Sequence, residues 1–360
     1  MPLTLPTPRF IAPDSVPALR WGVIGIVIAD RFVEALHAFT GQRAVAVATR
    51  HPEKAAEFAA KHGIPTVHAS VDALVADPEV DAVYVATPHP SHREQALAAI
   101  AHGKHVLIEK PIAMSAAEAR EITDAGRAAG VLVMEAMWTR YLPQSDILRQ
   151  VLAEGTIGDV NLVIADFGFS APVNLDHRLW SAELGGGALL DAGVYPISFA
   201  SSVLGAPSRV QAVGVTLDNG VDLQANLSLS YATGQTAVLA TSLSTCMPIE
   251  AQVLGSKGRL KVLRPFFGPT GIELTVGQFD GAGPGDARHA SGQGGGVTSG
   301  VDSIATGFHA DQLDARHIQV RMENADRIGP AAHAGHDVVG LAARHHGHLL
   351  LALDADHRLE

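Results

Sequence analysis

Val106-Leu107-Ile108-Glu109-Lys110-Pro111 is an apolar run that stops at an acid, a base and a proline. A Glu-Lys pair locked at a strand end by proline has no packing rationale, so it points to a site that handles a proton. Upstream, Val83-Tyr84-Val85-Ala86 runs into Thr87-Pro88, and His92 to His102 has helical composition. Strand, helix and strand at this spacing imply a right-handed crossover between parallel strands.

Working outward, the same alternation continues. Leu19 to Ile28 reads as a strand, Asp30 to Thr40 as a helix, Ala44 to Thr49 as a strand and Pro52 to His62 as a helix. Thr66-Val67 and Ala82 to Ala86 are further strands separated by a helix over Val71 to Ala76. A helix over Ala116 to Ala129 and a strand over Leu132 to Ala136 follow His105 to Ile108. The pattern predicts an α/β domain over 19–140 with a doubly wound parallel sheet covered on both faces, a Rossmann arrangement. After Trp138 the grammar changes. A helix over Gln144 to Ala153 leads to strands at Val160 to Phe169, Ser208 to Thr216, Asp222 to Tyr231, Gln235 to Leu243, Ile249 to Leu254 and Gly258 to Val262. Gly-containing turns join most of these, so 141–280 is expected to be an α+β domain with a large, mostly antiparallel sheet. A ligand cleft is expected at the hinge near residue 140.

The 360 residues include 26 basic and 37 acidic side chains, a net charge of -11, which argues against nucleic acid or an anionic membrane as partner. The lone Cys246 cannot form an internal disulfide, so a reducing cytoplasm fits. Met1 to Leu19 is Pro-rich without a basic start or apolar core, and 1–18 reads as a loose arm. No uncharged apolar run of membrane-spanning length is present.

At the first strand end, Gly25-Ile26-Val27-Ile28-Ala29 stands where a dinucleotide loop would carry Gly-X-Gly-X-X-Gly or Ala. Gly25 supplies the tight turn and Ala29 the small residue for helix packing, but the middle glycine is missing and the loop is one residue short. A weakened phosphate site is expected, and a plain strand-to-helix turn is the alternative. At the second strand end, Thr49-Arg50 stands where an NAD-specific fold places an acid. Thr49 can hydrogen-bond a 2'-phosphate and Arg50 can pair with it, which favours NADP over NAD, with a solvated loop arginine as the bland alternative.

Ala86-Thr87-Pro88 with His92, Glu109-Lys110-Pro111, and Gly185-Gly186-Gly187 through Asp191 to Tyr195 together resemble the Gfo/Idh/MocA oxidoreductase family from about Leu19 to Val262. Met134 to Pro143 and the Tyr at 195 are most similar to its dimeric dihydrodiol dehydrogenase and D-xylose dehydrogenase branch. The resemblance implies that Thr87, Pro88 and His92 border the cofactor, with Glu109 and Lys110 at the nicotinamide side. It implies that Lys110, with a pKa lowered toward neutrality, exchanges the substrate hydroxyl proton. Tyr195 would share that proton. Asp191, four residues earlier on the same helix face, would hold the substrate or orient Lys110. An ordinary helix polar residue and a core tyrosine are the alternatives for Asp191 and Tyr195. Trp138, Arg140, Arg178 and Trp180 are equally open to cleft lining, subunit contact and packing. The implied substrate is a small sugar, vicinal diol or related carbonyl compound, and the implied assembly a homodimer. An NAD-assisted glycoside hydrolase and a non-catalytic NADP-binding regulator or decayed enzyme are the rival readings.

Nine of the 18 histidines follow residue 288, including His345-His346-Gly347-His348, yet no metal site is expected. That stretch has no Lys, Tyr or Trp and is dominated by Ala, Gly, Asp, Arg and His, as in a GC-rich gene read out of frame. Codons for Ala331 to Asp337, shifted by one base, can read as the Leu-His-Thr-Leu-Asp run with which the family often ends its fold. Residues 281–360 are therefore read as frame-shifted or as a divergent, partly disordered tail.

Overall fold

The computed structural model of the chain describes residues 3–9, 11–12, 15–277, 288–293 and 316–320. They fall into two units, one over 11–136 and the other joining the N-terminal segment to residues from 137 onward. The histidine cluster and the 331–337 run lie outside the described residues.

The first unit runs β1 (Arg20–Ile24), α1 (Ala29–Phe39), β2 (Arg43–Ala48), α2 (Pro52–His62), β3 (Thr66–His68), α3 (Val71–Val75), β4 (Ala82–Val85), α4 (His92–Ala101), β5 (His105–Ile108), α5 (Ala116–Ala129) and β6 (Val133–Glu135). Its six strands lie in the order β3-β2-β1-β4-β5-β6, all parallel. Every residue of β4 is buried, because helices cover both faces. Its side chains alternate accordingly: Val83 and Val85 join the core with Ile108 and Ile122, while Tyr84 joins Val23, Val47 and Phe58 on the other face. Side-chain oxygens of Ser70 and Ser115 cap α3 and α5, and Gly63 and Gly130 end α2 and α5 in left-handed conformation.

Two expectations for this end of the chain need correction. The first strand stops at Ile24, not Ile28, because Gly25 at φ +89° turns the chain away from the sheet. The arm is also not loose. Leu3 and Leu5 pack against the second unit's core, Gln150 Nε2 donates to Thr7 O at 3.0 Å, and Arg9 Nη2 donates to Asp146 Oδ1 at 2.7 Å. The Arg9 main-chain N–H reaches Asp146 Oδ2 at the same distance.

The second unit contains α6 (Pro143–Ala153), β7 (Val160–Gly168), α7 (Val194–Leu204), β8 (Arg209–Thr216), β9 (Asp222–Ser230), β10 (Thr236–Ser242), β11 (Ala251–Gly255), β12 (Gly258–Val262), β13 (Gly271–Val276), β14 (Arg288–Gln293) and β15 (Arg316–Val320). The nine strands are ordered β14-β13-β12-β11-β7-β10-β9-β8-β15, and only β7 with β10 pairs in parallel. Period-two burial along β9, with Leu223, Ala225, Leu227 and Leu229 inside and Asn226 and Ser228 outside, shows a sheet with one covered face. That face packs against Ile147, Leu148 and Val151 of α6 and Val194, Ile197 and Ala200 of α7. β13 to β15 were not expected. The Pro- and Gly-containing run Leu263 to Thr270 interrupts the strand pattern before β13, and β14 and β15 fall in the segment of unusual composition.

Ala182–Leu204 is long and apolar enough by composition to cross a membrane, with mean hydropathy 1.3. Its window is 67% buried inside the unit, however, so it is a core helix.

Candidate functional site

In the first unit the chemistry-bearing residues gather where β1, β4 and β5 end. The strand order reverses between β1 and β4, which opens a crevice at their carboxyl ends. Gly25 donates its N–H to Ala48 O at 3.0 Å, and a Cβ at Gly25 would come 2.5 Å from Ala86 O. Only glycine fits there. Ala29 begins α1 and is fully buried, and Val27 between them is 91% exposed.

His92 joins the two motif loops. It is fully buried, with Nδ1 2.9 Å from Pro111 O and Nε2 2.8 Å from Thr87 O. Burial pushes its pKa below the usual value, against the pull of these carbonyls. Thr87 Oγ1 donates to Gln95 Oε1 at 2.7 Å, and Pro88 leads into the turn His89–Ser91. Glu109 accepts the Tyr84 hydroxyl proton on Oε1, while its Oε2 accepts Lys110 N–H at 3.1 Å. Burial first, then the Glu109 charge, raises the Tyr84 phenol well above its ordinary pKa, so Tyr84 stays a donor. Lys110 is half-buried and joined to Pro111 by a cis peptide bond. Thr87, Pro88, His92, Glu109 and Lys110 therefore belong to one connected strand-end assembly. Thr49 and Arg50 follow β2 on the same edge of the sheet, with Arg50 exposed.

Those features fit a dinucleotide: a switch point, a tight glycine turn packed on Ala86, a helix N-terminus and an exposed cation at the second strand end. The apolar Ile26-Val27-Ile28 in place of the middle glycine, in a loop one residue short, is the departure.

In the second unit, Asp191 and Tyr195 lie on one continuous helical stretch, but its first turn, Leu189–Gly193, is a π-turn. This corrects the expected α-helical i, i+4 alignment: the wider turn offsets the two side chains. Asp191 is buried and accepts Arg178 Nη1 at 2.8 Å. The glycine triplet makes this possible. A Cβ at Gly186 would lie 2.5 Å from Leu179 O, and one at Gly187 would lie 2.0 Å from Asp222 Oδ1.

Around Tyr195 the unit forms an aromatic wall that the local motifs did not reveal. Phe167 and Phe267 stack at 4.4 Å and 10°, and each ring centre is 5.3 Å from that of Tyr195. Trp138 Nε1 donates to Tyr195 Oη at 3.4 Å, and Trp138 is 43% exposed. Phe167 and Phe267 are a hundred residues apart, so no spacing rule links them. Trp180 is 1% exposed and serves packing. Among the described residues, no group of three or more His, Cys, Asp or Glu is arranged to hold a metal ion.

Comparison with known proteins agrees with this division. The model for an oxidoreductase family with an NAD-binding Rossmann fold matches residues 19–137, and the model of the GFO/IDH/MocA C-terminal domain matches residues 145–261. A trans-1,2-dihydrobenzene-1,2-diol dehydrogenase from Mus musculus is 40% identical over 266 residues, covering 72% of this chain and 78% of its own length. The Homo sapiens enzyme of the same name is 38% identical over the same extent. Among solved structures, a 3-ketoreductase from Actinomadura kijaniata in complex with NADP and TDP-benzene is 27% identical, with TM-score 0.66 and 94% of each chain covered. A levoglucosan dehydrogenase complexed with NADH and levoglucosan shares the fold, with TM-score 0.69 and 22% identity, covering 77% of this chain and 80% of its own.

Proposed function

Because the chain belongs to the Gfo/Idh/MocA oxidoreductase family, we propose that it is an NADP-dependent dehydrogenase of a small vicinal diol or sugar. A dehydrogenase acting on CH–OH groups is what the family and the diol dehydrogenases support in common. The observation that carries the reading is the strand-end assembly of Thr87, His92, Glu109 and Lys110 in the first unit.

A nicotinamide, when bound, would supply the hydride chemistry. The first unit would hold the cofactor through Gly25, Ala29, Thr87, Pro88 and His92, with Thr49 and Arg50 reading a 2'-phosphate. Glu109 keeps the end of β5 in place through Tyr84 and the Lys110 N–H. Lys110 exchanges the hydroxyl proton at Nζ as the alcohol and carbonyl interconvert. Asp191, oriented by Arg178, binds a substrate hydroxyl, and Tyr195 shares the proton. The wall of Trp138, Phe167 and Phe267 favours a planar, unsaturated ring diol over a fully hydroxylated sugar, whose polar faces would lose water against it. The sheet face that leaves Ile164, Val213 and Val238 exposed supports homodimerisation, and the lone exposed Cys246 fits a reducing cytoplasm.

One observation favours a second reading, a cofactor-binding regulator without turnover: the exposed Val27 where a phosphate loop carries glycine. Turnover of a panel of diols and sugars separates the cases, and fluorescence titration with NADPH and NADH tests the cofactor site on which both depend. Micromolar NADPH binding with much weaker NADH binding supports the role of Arg50, and such binding without turnover points to the regulator. A folded protein that binds neither would overturn the reading. Release of sugar from a glycoside without net cofactor change would point instead to an NAD-assisted hydrolase.

A further inference from the structure

Resting on the dehydrogenase reading, we infer that Asp222 is a positioning residue for the reaction, holding the turn that bears Asp191 and Tyr195. Asp222 stands at the start of β9, between the buried Val221 and Leu223. Its Oδ2 accepts the Leu189 N–H at 2.7 Å, and the Ala188 N–H also reaches the carboxylate. These are among the first main-chain donors of the helical stretch, where the positive end of the helix dipole favours a negative group. Asp191 is two residues further on, and Tyr195 six.

The same hairpin end holds the other half of the ion pair. Asn219, in the turn between β8 and β9, donates Nδ2 to Trp180 O at 2.7 Å, gripping the turn Arg178–Trp180 that carries Arg178. Trp180, Ala188, Val215, Leu223 and Leu243 form one buried cluster beneath both turns. One rigid hairpin thus fixes the main chain on both sides of the Arg178–Asp191 pair. Gly187 completes the device. Its φ of +119° and the 2.0 Å approach of Asp222 Oδ1 to a Cβ position leave no room for a side chain.

The burial raises the Asp222 carboxyl to about 6, so the chain keeps a carboxylate where its charge is costly. A carboxylate also places a negative charge at the positive end of the helical stretch and turns no donor toward the Ala188 and Leu189 N–H groups, whereas an amide would turn its own NH2 group toward one of them.

The test compares Asp222→Ala, which accepts nothing, with Asp222→Asn, which keeps one acceptor oxygen but loses the charge. Turnover of trans-1,2-dihydrobenzene-1,2-diol, the compound named for the similar mouse enzyme, is measured with NADP, alongside NADPH binding and amide hydrogen exchange. We expect kcat/KM to fall about 100-fold in Asp222→Ala, as for other small misplacements of a reacting constellation, with NADPH affinity unchanged. Asp222→Asn should recover part of that loss. Exchange in a peptide covering residues 187–196 should speed up about tenfold, with peptides of β11 and β12 unaffected. If Asp222→Ala proves unfolded, the Asp222→Asn comparison decides. A folded Asp222→Ala with wild-type kcat/KM, or exchange unchanged around Leu189, overturns the inference. If the wild type turns over no diol or sugar, the dehydrogenase reading fails and so does a catalytic positioning role, while faster exchange would still show that Asp222 holds the turn.

Discussion

The first unit carries its chemistry at strand ends, in short runs such as Thr87-Pro88 and Glu109-Lys110-Pro111. The second draws Trp138, Phe167, Arg178, Asp191, Tyr195 and Phe267 from separate turns, strands and helices spread over 130 positions of chain. The difference follows from the way each kind of sheet presents residues. A parallel sheet brings every strand's carboxyl end to one edge, so a motif written after a strand is already in place. A mostly antiparallel sheet has no such common edge, and side chains meet on its face only through register and packing.

That contrast can be broken by mutation. Lys110→Ala removes the group assigned to proton exchange, and kcat should fall about 1000-fold with NADPH binding kept, in line with losses of a general acid-base residue. Steady-state rates with a parallel fluorescence titration check this; a kcat within a few-fold of wild type would move the proton to another group. In the second unit, Asp191→Ala leaves Arg178 without its carboxylate, and kcat/KM should fall about 100-fold through lost alignment. The prediction is specific in that NADPH affinity stays constant, whereas a collapsed fold would lower both.

A smaller and more selective effect is expected at Arg50. A charge-assisted hydrogen bond contributes roughly 1.5–3 kcal/mol, so Arg50→Ala should weaken NADPH about tenfold or more and leave NADH unchanged. Equal loss for both cofactors would mean that Arg50 does not read the phosphate.

The smallest effect concerns the arm. The Asp146 carboxyl lies below the ordinary carboxylate range: burial pushes it up, but Arg9, through its side chain and main-chain N–H, pulls it down further. Because the folded value is lowered, its contribution to stability is present above the unfolded value of 3.8 and lost as pH falls through the folded one. Arg9 is largely exposed, so Arg9→Ala should cost only about 1 kcal/mol at neutral pH, and the difference from wild type should shrink at acid pH, as pH falls below 3.8. Urea unfolding at both pH values measures it. A difference independent of pH would assign the arm's contribution to Leu3 and Leu5 instead.

The strands of the first unit were legible because buried parallel strands are short apolar runs separated by helical segments, and the structure departs from them chiefly at Ile28, where Gly25 turns the chain. The family, and with it Lys110, His92 and Asp191 as candidates, was legible because its motifs are short runs of adjacent residues such as Glu109-Lys110-Pro111 and Gly185-Gly186-Gly187. The loop Ile26-Val27-Ile28 was legible as a departure but not in its consequence, since exposure of Val27 depends on how the turn closes. The aromatic wall and Asp222 were not legible. Phe167, Phe267 and Tyr195 meet through packing, and Asp222 reaches Leu189 across 33 positions of chain. The π-turn was hidden because nothing in Leu189 to Gly193 distinguishes it from an α-turn. The arm looked loose because Pro-rich composition reports on helix and strand formation, and is silent about an arginine that finds a buried carboxylate.

The most direct test of the central claim is the stoichiometry of turnover. Purified protein is incubated with NADP and trans-1,2-dihydrobenzene-1,2-diol, the compound named for the similar mouse enzyme, and NADPH and oxidised product are both quantified. One NADPH should form per diol oxidised, with Lys110→Ala far slower. NADPH binding without any product from this diol or a panel of sugars, in folded protein, would contradict it.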